Sequence, residues 1–248
     1  MNGPPLEVVV WGNYACFTRP EMKVERVSYP VMTPSAARGI LEAIFWKPEF
    51  SWLVREIHVL KPIRWFSIKR NEISSRQSPR TTGQYYADED RTQRATLCLR
   101  DVAYLIKADI GLRPHATDDV AKYRDQFRRR VEGGECFHHP ALGCREFAAD
   151  FGKPRGHEKA IDLSEDLGRM LLDINFDQRK KVERLTKEEL KGVVFDDYLE
   201  PNKPLLKVDN RCPGTGFPVF FDAELKSGIL KVPHQKYEQF RWANGVQS

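Results

Sequence analysis

Apolar residues recur at helical spacing between residues 33 and 48. Thr33 carries the side chain of a helix N-cap, and Pro34 follows at the first helical position, where no backbone N–H is needed. Pro48 disfavours helical geometry at the residue before it, so the helix is expected to end by that point. The pattern predicts a first helix whose apolar face is formed by Ala36, Ala37, Ile40, Leu41, Ile44 and Phe45.

Apolar runs and period-two alternation predict strands on both sides of this helix. Pro62 cannot donate a ladder hydrogen bond, so its strand is expected to bulge or to lie at a sheet edge there. A second helix should begin at Asp118 or Asp119, which can cap it, and should end at the Gly133–Gly134 pair. The four strands are expected at residues 6–11, 52–68, 96–110 and within 136–151.

The predicted order is strand, helix, strand, strand, helix, strand, which is the ferredoxin-like split βαβ pattern and a frequent RNA-binding platform. Beyond it, a strand is expected at residues 169–176 and a hairpin turn at 226–228. We predict an α+β chain with a ferredoxin-like (RNA-recognition-type βαββαβ) domain at 1–152 and a smaller β-rich subdomain at 153–248. The aromatic signature of RNA-recognition strands is missing, so this fold alone does not assign a function.

Composition describes an ordinary globular chain of 248 residues. No apolar run reaches membrane-spanning length, and no basic segment precedes the first apolar run, so we expect a cytoplasmic protein without a membrane partner.

The five cysteines are widely spaced and contain no CxxC pair, which indicates buried free thiols. A metal site formed by Cys136, His138, His139 and Cys144 is the alternative, but it lacks a second cysteine pair. Neither a metal nor a cofactor is predicted.

Positive charge is concentrated in one part of the chain. Residues 61–130 hold sixteen Lys/Arg against nine Asp/Glu, whereas the whole chain has a net charge of +5. This segment predicts a polyanionic partner on one face, with a solvated strand face as the alternative. Within it, residues 74–94 are polar and contain four arginines and two adjacent tyrosines, Tyr85 and Tyr86. They predict a long loop or hairpin tip whose tyrosines can stack on bases and which becomes ordered on RNA or a neighbouring subunit.

Four stretches together resemble one family. They are WGNYACFTRPEMKVERVSYPV at 11–31, SYPVMTPSAARGILEAIFWKP at 28–48, LKPIRWFSIKRNEI at 60–73 and HPALGCREFAADF at 139–151. The combination resembles the fifth family of CRISPR-associated (Cas) proteins in its type I-C variant (d subtype), the crRNA-processing subunit. The resemblance implies a ferredoxin-like endoribonuclease that cuts precursor crRNA without a metal and stays bound to the 5′ handle. It implies precursor and mature crRNA and other subunits of the type I-C interference complex as partners, and leaves target double-stranded DNA open as another.

The implied reaction is attack of a ribose 2′-OH on the adjacent phosphate, giving a 2′,3′-cyclic phosphate and a 5′-OH. It needs a proton acceptor, a cation beside the phosphate and an acid for the leaving oxygen. Some family members have a tyrosine where this chain has Phe45, which cannot transfer a proton and whose apolar position favours core packing. Members also begin the second helix with a Lys-His pair, where this chain has Ala121-Lys122 followed by Tyr123.

Candidate roles follow from these positions. Lys122 is predicted to stabilise charge at the phosphate, with a solvated helix lysine as the alternative, and Tyr123 lies on the apolar stripe, where core packing competes with catalysis. His115 is a candidate acid or base, and so are His138 and His139. A non-catalytic RNA-binding subunit is the second interpretation, and a DNA-contacting scaffold is the third. The predicted RNA contacts are Arg19, Lys23, Lys69, Arg70, Arg76, Arg80 and Arg145, the last of which could instead form a structural ion pair.

Overall fold

The computed structural model describes residues 3–74, 86, 88, 90–176 and 216–239, and within them the chain is mostly β-sheet. The two α-helices are α1 (Pro34–Ile44) and α2 (Val120–Gly133). Short 3₁₀ turns cover Pro20–Met22 and His234–Gln239. The strands are β1 (Leu6–Ala15), β2 (Arg26–Val27), β3 (Phe50–Val59), β4 (Trp65–Ile73), β5 (Arg91–Leu112), β6 (Asp150–Gly152), β7 (Glu165–Phe176), β8 (Gly216–Lys226) and β9 (Ile229–Lys231).

These nine strands form one sheet with the path β6-β1-β5-β3-β9-β8-β7, in which every neighbouring pair is antiparallel. The short β2 pairs in parallel with β5, and β4 pairs with β5 beyond the end of β3. Strand β9 pairs with β3, so the strands of the C-terminal half continue the sheet of the N-terminal half. The division of the chain at residue 152 stays a prediction.

Both helices are delimited as their sequences predict. The Thr33 hydroxyl accepts a hydrogen bond from the Ala36 amide at 3.2 Å, and the Asp119 carboxylate accepts one from the Ala121 amide at 2.7 Å. Gly134 ends α2 with a left-handed φ of 65°, a conformation that glycine adopts without strain. Helix α1 ends at Ile44, four residues before Pro48, because Phe45 turns into extended geometry. The buried residues of α1 include Ala37, Ile40, Leu41 and Ile44.

The predicted strand at 52–68 is two strands, β3 and β4, that lie end to end along the 22-residue β5. The ladder is interrupted opposite Asp101, whose backbone has a φ of 52°. Asp101 accepts charge-assisted hydrogen bonds from Lys61 at 2.6 Å and Arg64 at 3.2 Å, which holds the interruption in place. The break includes Pro62, so the expectation of an irregularity there is confirmed, while the expectation of one strand is wrong.

The predicted fourth strand at 136–151 is also wrong for most of its length. Only β6 is a strand, and residues 136–149 form an irregular segment with one isolated bridge between Ala141 and Ala148. Gly143 has a φ of 88° and lies so close to the Cys16 carbonyl that a side chain could not fit there. The segment therefore packs against β1 by backbone contact instead of pairing along it. We call residues 136–149 the β6 approach segment.

The hairpin predicted at residues 226–228 is confirmed, because β8 and β9 turn at Ser227 and Gly228. Strand β7 contains the predicted strand at residues 169–176, but it begins earlier, at Glu165. The predicted loop at 74–94 is shorter than expected, since β5 begins at Arg91, which pairs with Ile73. Its tip, including Arg76, Arg80 and Tyr85, lies outside the described residues. No helix in the described part of the chain is long and apolar enough to cross a membrane.

Candidate functional site

The four residues predicted to take part in catalysis gather around residues 48–50, where α1 leads into β3. The Phe50 ring lies 5.4 Å from the Phe45 ring and 5.3 Å from the Tyr123 ring, measured between centroids. His115 Nε2 lies 3.1 Å from the Pro48 carbonyl oxygen. Lys122 lies in the first turn of α2, next to Tyr123. We call Phe45, His115, Lys122 and Tyr123 the helix-junction cluster.

Solvent exposure divides this cluster into two pairs. Phe45 and Tyr123 are 1% and 3% exposed and belong to the hydrophobic core, which supports a packing role for both. His115 is exposed, and the Lys122 side chain is 62% exposed. Only His115 and Lys122 can therefore contact a ligand without a rearrangement of the core.

The electrostatics of α2 keep Lys122 positively charged. Its ammonium group donates a hydrogen bond to the Asp118 carboxylate at 2.7 Å, and this bond and the attraction between the charges raise the pKa of Lys122. Burial raises the pKa of the Tyr123 phenol, which is therefore neutral near pH 7. A fixed cation in the first turn of a helix, whose N-terminal end itself favours anions, suits a phosphate group.

A second candidate site is a cleft of about 810 Å³ between α1 and the β6 approach segment. His138, His139 and Arg145 line it together, and all three are exposed. The His138 backbone amide donates to the Ala43 carbonyl at 3.2 Å, which ties the segment to the last turn of α1. The two alternative acid–base candidates, His138 and His139, thus share one cleft with the cationic side chain of Arg145. Neither His115 nor Lys122 lines this cleft. The rest of its lining is Cys16, Phe17, Thr18, Thr33, Ser35, Ala36, Gly39, Ala43, Ala141, Gly143 and Leu171.

Four of the predicted RNA contacts lie on β4 and in the stretch that joins β1 to β2. The Arg19 guanidinium lies over the Tyr29 ring at 4.5 Å, and Lys23 is half-buried nearby in sequence. Lys69 is exposed on one face of β4. Arg70 lies on the opposite face, where it contacts Glu72 at 2.9 Å and Glu146 at 3.5 Å.

The structure brings together one polar cluster that the sequence did not suggest. Arg26 on β2 donates to the Cys144 sulfur at 3.4 Å, and the Thr18 hydroxyl lies 3.7 Å from that sulfur. A hydrogen bond with Cys16 and a smaller contribution from Thr18 and the Arg26 charge lower the pKa of Cys144 to about 6. The same pairing, together with burial, raises the pKa of Cys16. Arg26 and Cys144 are 118 residues apart in the chain, so no local sequence pattern could indicate this contact.

The alternative metal site receives no support from this geometry. The Cys144 sulfur contacts the Cys16 carbonyl, the Thr18 hydroxyl and the Arg26 guanidinium. Among the residues that the structure describes, no group of three or more His, Cys, Asp or Glu side chains is placed to hold a metal ion.

Comparison with known proteins assigns the chain to a family. The Cas5d family model, described as a CRISPR-associated protein (Cas5), matches residues 6–233. A Thermus thermophilus protein named CRISPR pre-crRNA endoribonuclease Cas5d is 47% identical over 234 residues, covering 94% of this chain and 93% of that protein. A Mannheimia succiniciproducens protein of the same name is 42% identical over 244 residues, covering 90% and 92%.

Two solved structures share the fold. A CRISPR-associated protein superposes with a TM-score of 0.59 at 21% identity, covering 95% of this chain and 94% of its own. A functionally uncharacterized protein from Streptococcus mutans superposes with a TM-score of 0.58 at 17% identity, covering 95% of both chains. At these identities the similarity concerns the arrangement of the backbone alone.

Proposed function

Because this chain belongs to the Cas5d family of CRISPR-associated proteins, we propose that it is an endoribonuclease that cuts precursor crRNA. The main support for the proposal is the similarity to the Thermus thermophilus protein named CRISPR pre-crRNA endoribonuclease Cas5d, which is 47% identical over 94% of this chain. The family model matches residues 6–233, which include both candidate sites and the whole sheet. The proposal therefore does not depend on a shared fragment.

The proposal extends to the fold and to the partners. The path β6-β1-β5-β3, with α1 between β1 and β3 and α2 between β5 and β6 in the chain, supports a ferredoxin-like first half. The mature crRNA and other subunits of a type I-C interference complex are the partners we propose, with target double-stranded DNA as a further one. The basic segment at 61–130 supports a polyanionic partner of this kind.

In the proposed reaction the 2′-OH loses its proton to a base as its oxygen attacks the phosphorus atom. The bond from phosphorus to the 5′-oxygen breaks, and an acid protonates the leaving oxygen, which yields a 2′,3′-cyclic phosphate and a 5′-OH. Charge builds on the phosphate oxygens in between, so a cation held in place lowers the barrier. No step of this chemistry requires a metal ion.

We assign the electrostatic role to Lys122 and a proton transfer to His115. Lys122 is exposed, and Asp118 maintains its charge, so it can contact a phosphate while it remains a cation. His115 is exposed beside residues 48–50, where an imidazole can serve as a general acid or base. Phe45 and Tyr123, which are buried, would support this site by packing against Phe50.

The decisive experiment incubates the purified chain with its cognate repeat RNA in excess EDTA. We expect site-specific cleavage, with one product ending in a 2′,3′-cyclic phosphate and the other beginning with a 5′-OH. A matched RNA with a single 2′-deoxy nucleotide at the cut position should bind and stay intact, because it lacks the nucleophile. Binding of the unmodified RNA without cleavage would instead identify the chain as a non-catalytic RNA-binding subunit.

A further inference from the structure

Three aromatic rings from distant parts of the chain meet beside the β6 approach segment. The Tyr14 ring on β1 stacks on the Phe66 ring of β4, with 5.3 Å between centroids and 28° between planes. The Phe147 ring lies 6.1 Å from Tyr14 on another side. Tyr14 is 42% exposed, whereas Phe66 and Phe147 are half-buried beneath it. We call Tyr14, Phe66 and Phe147 the aromatic platform.

Two arginines are held next to this platform. Arg26 NH1 and Arg70 NH1 both approach the same oxygen of Glu146, at 3.1 and 3.5 Å, and Glu146 directly precedes Phe147. Arg70 is fixed further by the Thr96 hydroxyl at 2.8 Å and by Glu72 at 2.9 Å. The Glu146 side chain is 52% exposed, so an anion from solution can compete with it for the guanidinium groups. Two oriented guanidinium groups can bind the phosphate of a nucleotide, and the exposed ring beside them can stack on its base.

We propose that this surface binds an unpaired nucleotide of the RNA substrate, with its base stacked on Tyr14 and a neighbouring phosphate contacted by Arg26 and Arg70. A single-stranded segment is required, because the base faces inside a duplex are already stacked. Stacking accepts every base, so this site grips the strand without selecting its sequence. The inference rests on the proposed function and locates RNA on the Phe66 and Arg70 face of β4, away from Lys69.

The test measures the dissociation constant for cognate repeat RNA by fluorescence anisotropy at fixed salt concentration. Tyr14→Ala should weaken binding by about 10- to 100-fold, as expected for the loss of one base–aromatic stack. Tyr14→Phe keeps the ring and should stay within about twofold of wild type. The matched control is Trp65→Ala, because Trp65 is 44% exposed but lies on the opposite face of β4 from Phe66, and it should bind like wild type.

A second readout separates a lost stack from a disturbed fold. 2-Aminopurine placed at successive positions of the repeat should be quenched at one unpaired position by the wild-type protein and by Tyr14→Phe, but not by Tyr14→Ala. Unchanged affinity of Tyr14→Ala, or equal weakening by Trp65→Ala, overturns the inference while leaving the proposed function intact. A wild-type protein that neither binds nor cuts the RNA overturns both. Quenching that persists in Tyr14→Ala shows that the base stacks on another group, and this result also overturns the inference.

Discussion

At the scale of single residues, the two accessible members of the helix-junction cluster differ in what they can contribute. Lys122 is held as a cation by Asp118, and a cation that cannot release its proton at neutral pH stabilises charge without acting as a base. His115 carries an imidazole, the side chain that most often transfers protons in general acid–base catalysis. We therefore propose that Lys122 acts as the cation and His115 as the proton-transfer group, and Phe45 can supply neither role.

Replacing Lys122 by alanine should reduce cleavage by about 100- to 1000-fold, because the site loses a preorganised cation beside the phosphate. RNA affinity should change little, since other basic residues still hold the backbone. Single-turnover cleavage at saturating protein separates the two effects. Arg128→Ala removes another exposed, ion-paired cation of α2 and should cut at the wild-type rate.

His115→Ala should slow cleavage and alter the pH–rate profile, since the proposed proton-transfer group is removed. Wild-type rates for Lys122→Ala would exclude this cluster and direct attention to the cleft that contains His138, His139 and Arg145.

Cys144 provides a second prediction at this scale. A pKa of about 6 means that this thiol is mostly thiolate at pH 7, whereas an ordinary cysteine becomes thiolate only near pH 8.5. The rate of its alkylation by iodoacetamide should therefore rise through about pH 6 and level off by neutral pH, as measured by peptide mass spectrometry. In denaturant the same cysteine should show a rise near pH 8.5. Arg26→Gln should move the folded profile to higher pH, because the cation that contacts the sulfur is lost.

At the scale of elements, one ion pair joins the two halves of the chain. Arg38 on α1 binds Asp173 on β7 through two hydrogen bonds of 2.5 and 2.9 Å, and it also contacts Glu42. The Asp173 side chain is 2% exposed. A buried carboxylate without its cation is expensive, so this pair ties α1 and β7 together firmly once both have formed.

Arg38→Met should therefore destabilise the protein by about 3–5 kcal/mol, the cost of leaving a buried charge without its partner. Thermal unfolding followed by circular dichroism should show a melting temperature lower by roughly 10 °C. Lys153→Met is the control, since it breaks an exposed pair with Glu132 and should leave the melting temperature close to that of wild type. Equal melting temperatures for the two variants would show that the contact between α1 and β7 does not depend on this pair.

At the scale of the whole molecule, the distribution of charge matters more than its total. Residues 61–130 carry the positive surplus, but ion pairs offset several of these charges, as at Asp101, Glu72 and Asp118. RNA binding should nevertheless weaken steeply with salt, because each neutralised phosphate releases counterions. If roughly four phosphates are neutralised, the affinity should fall roughly 50-fold between about 50 and 200 mM salt.

A single-residue comparison sharpens this test. Arg145→Gln should reduce the slope of log affinity against log salt by about 0.7, the contribution of one phosphate contact in a single strand. Lys231→Gln removes an exposed charge on β9 that is not among the predicted RNA contacts, and it should leave the slope unchanged. An affinity that does not vary with salt would mean that the basic residues do not meet the RNA backbone.

Local patterns in the sequence predicted those parts of the fold that depend on near neighbours. The caps of α1 and α2 and the turn between β8 and β9 follow from residues a few positions apart. The two errors arose where a distant contact overrides the local pattern. Residues 52–68 are interrupted opposite Asp101, and the β6 approach segment contacts the backbone at Cys16, just beyond β1, instead of extending as a strand.

The sequence by itself determined the helix boundaries, the basic segment, the family resemblance and the position of Lys122, because each is a property of residue types at short spacing. Only the tertiary structure decided that Phe45 and Tyr123 are buried while His115 and Lys122 are exposed. It alone united Arg26 with Cys144, Arg38 with Asp173 and Tyr14 with Phe66. The first two contacts span 118 and 135 residues. Such pairs form only when the order of strands in the sheet is complete, and no periodicity along the chain encodes which distant strands become neighbours.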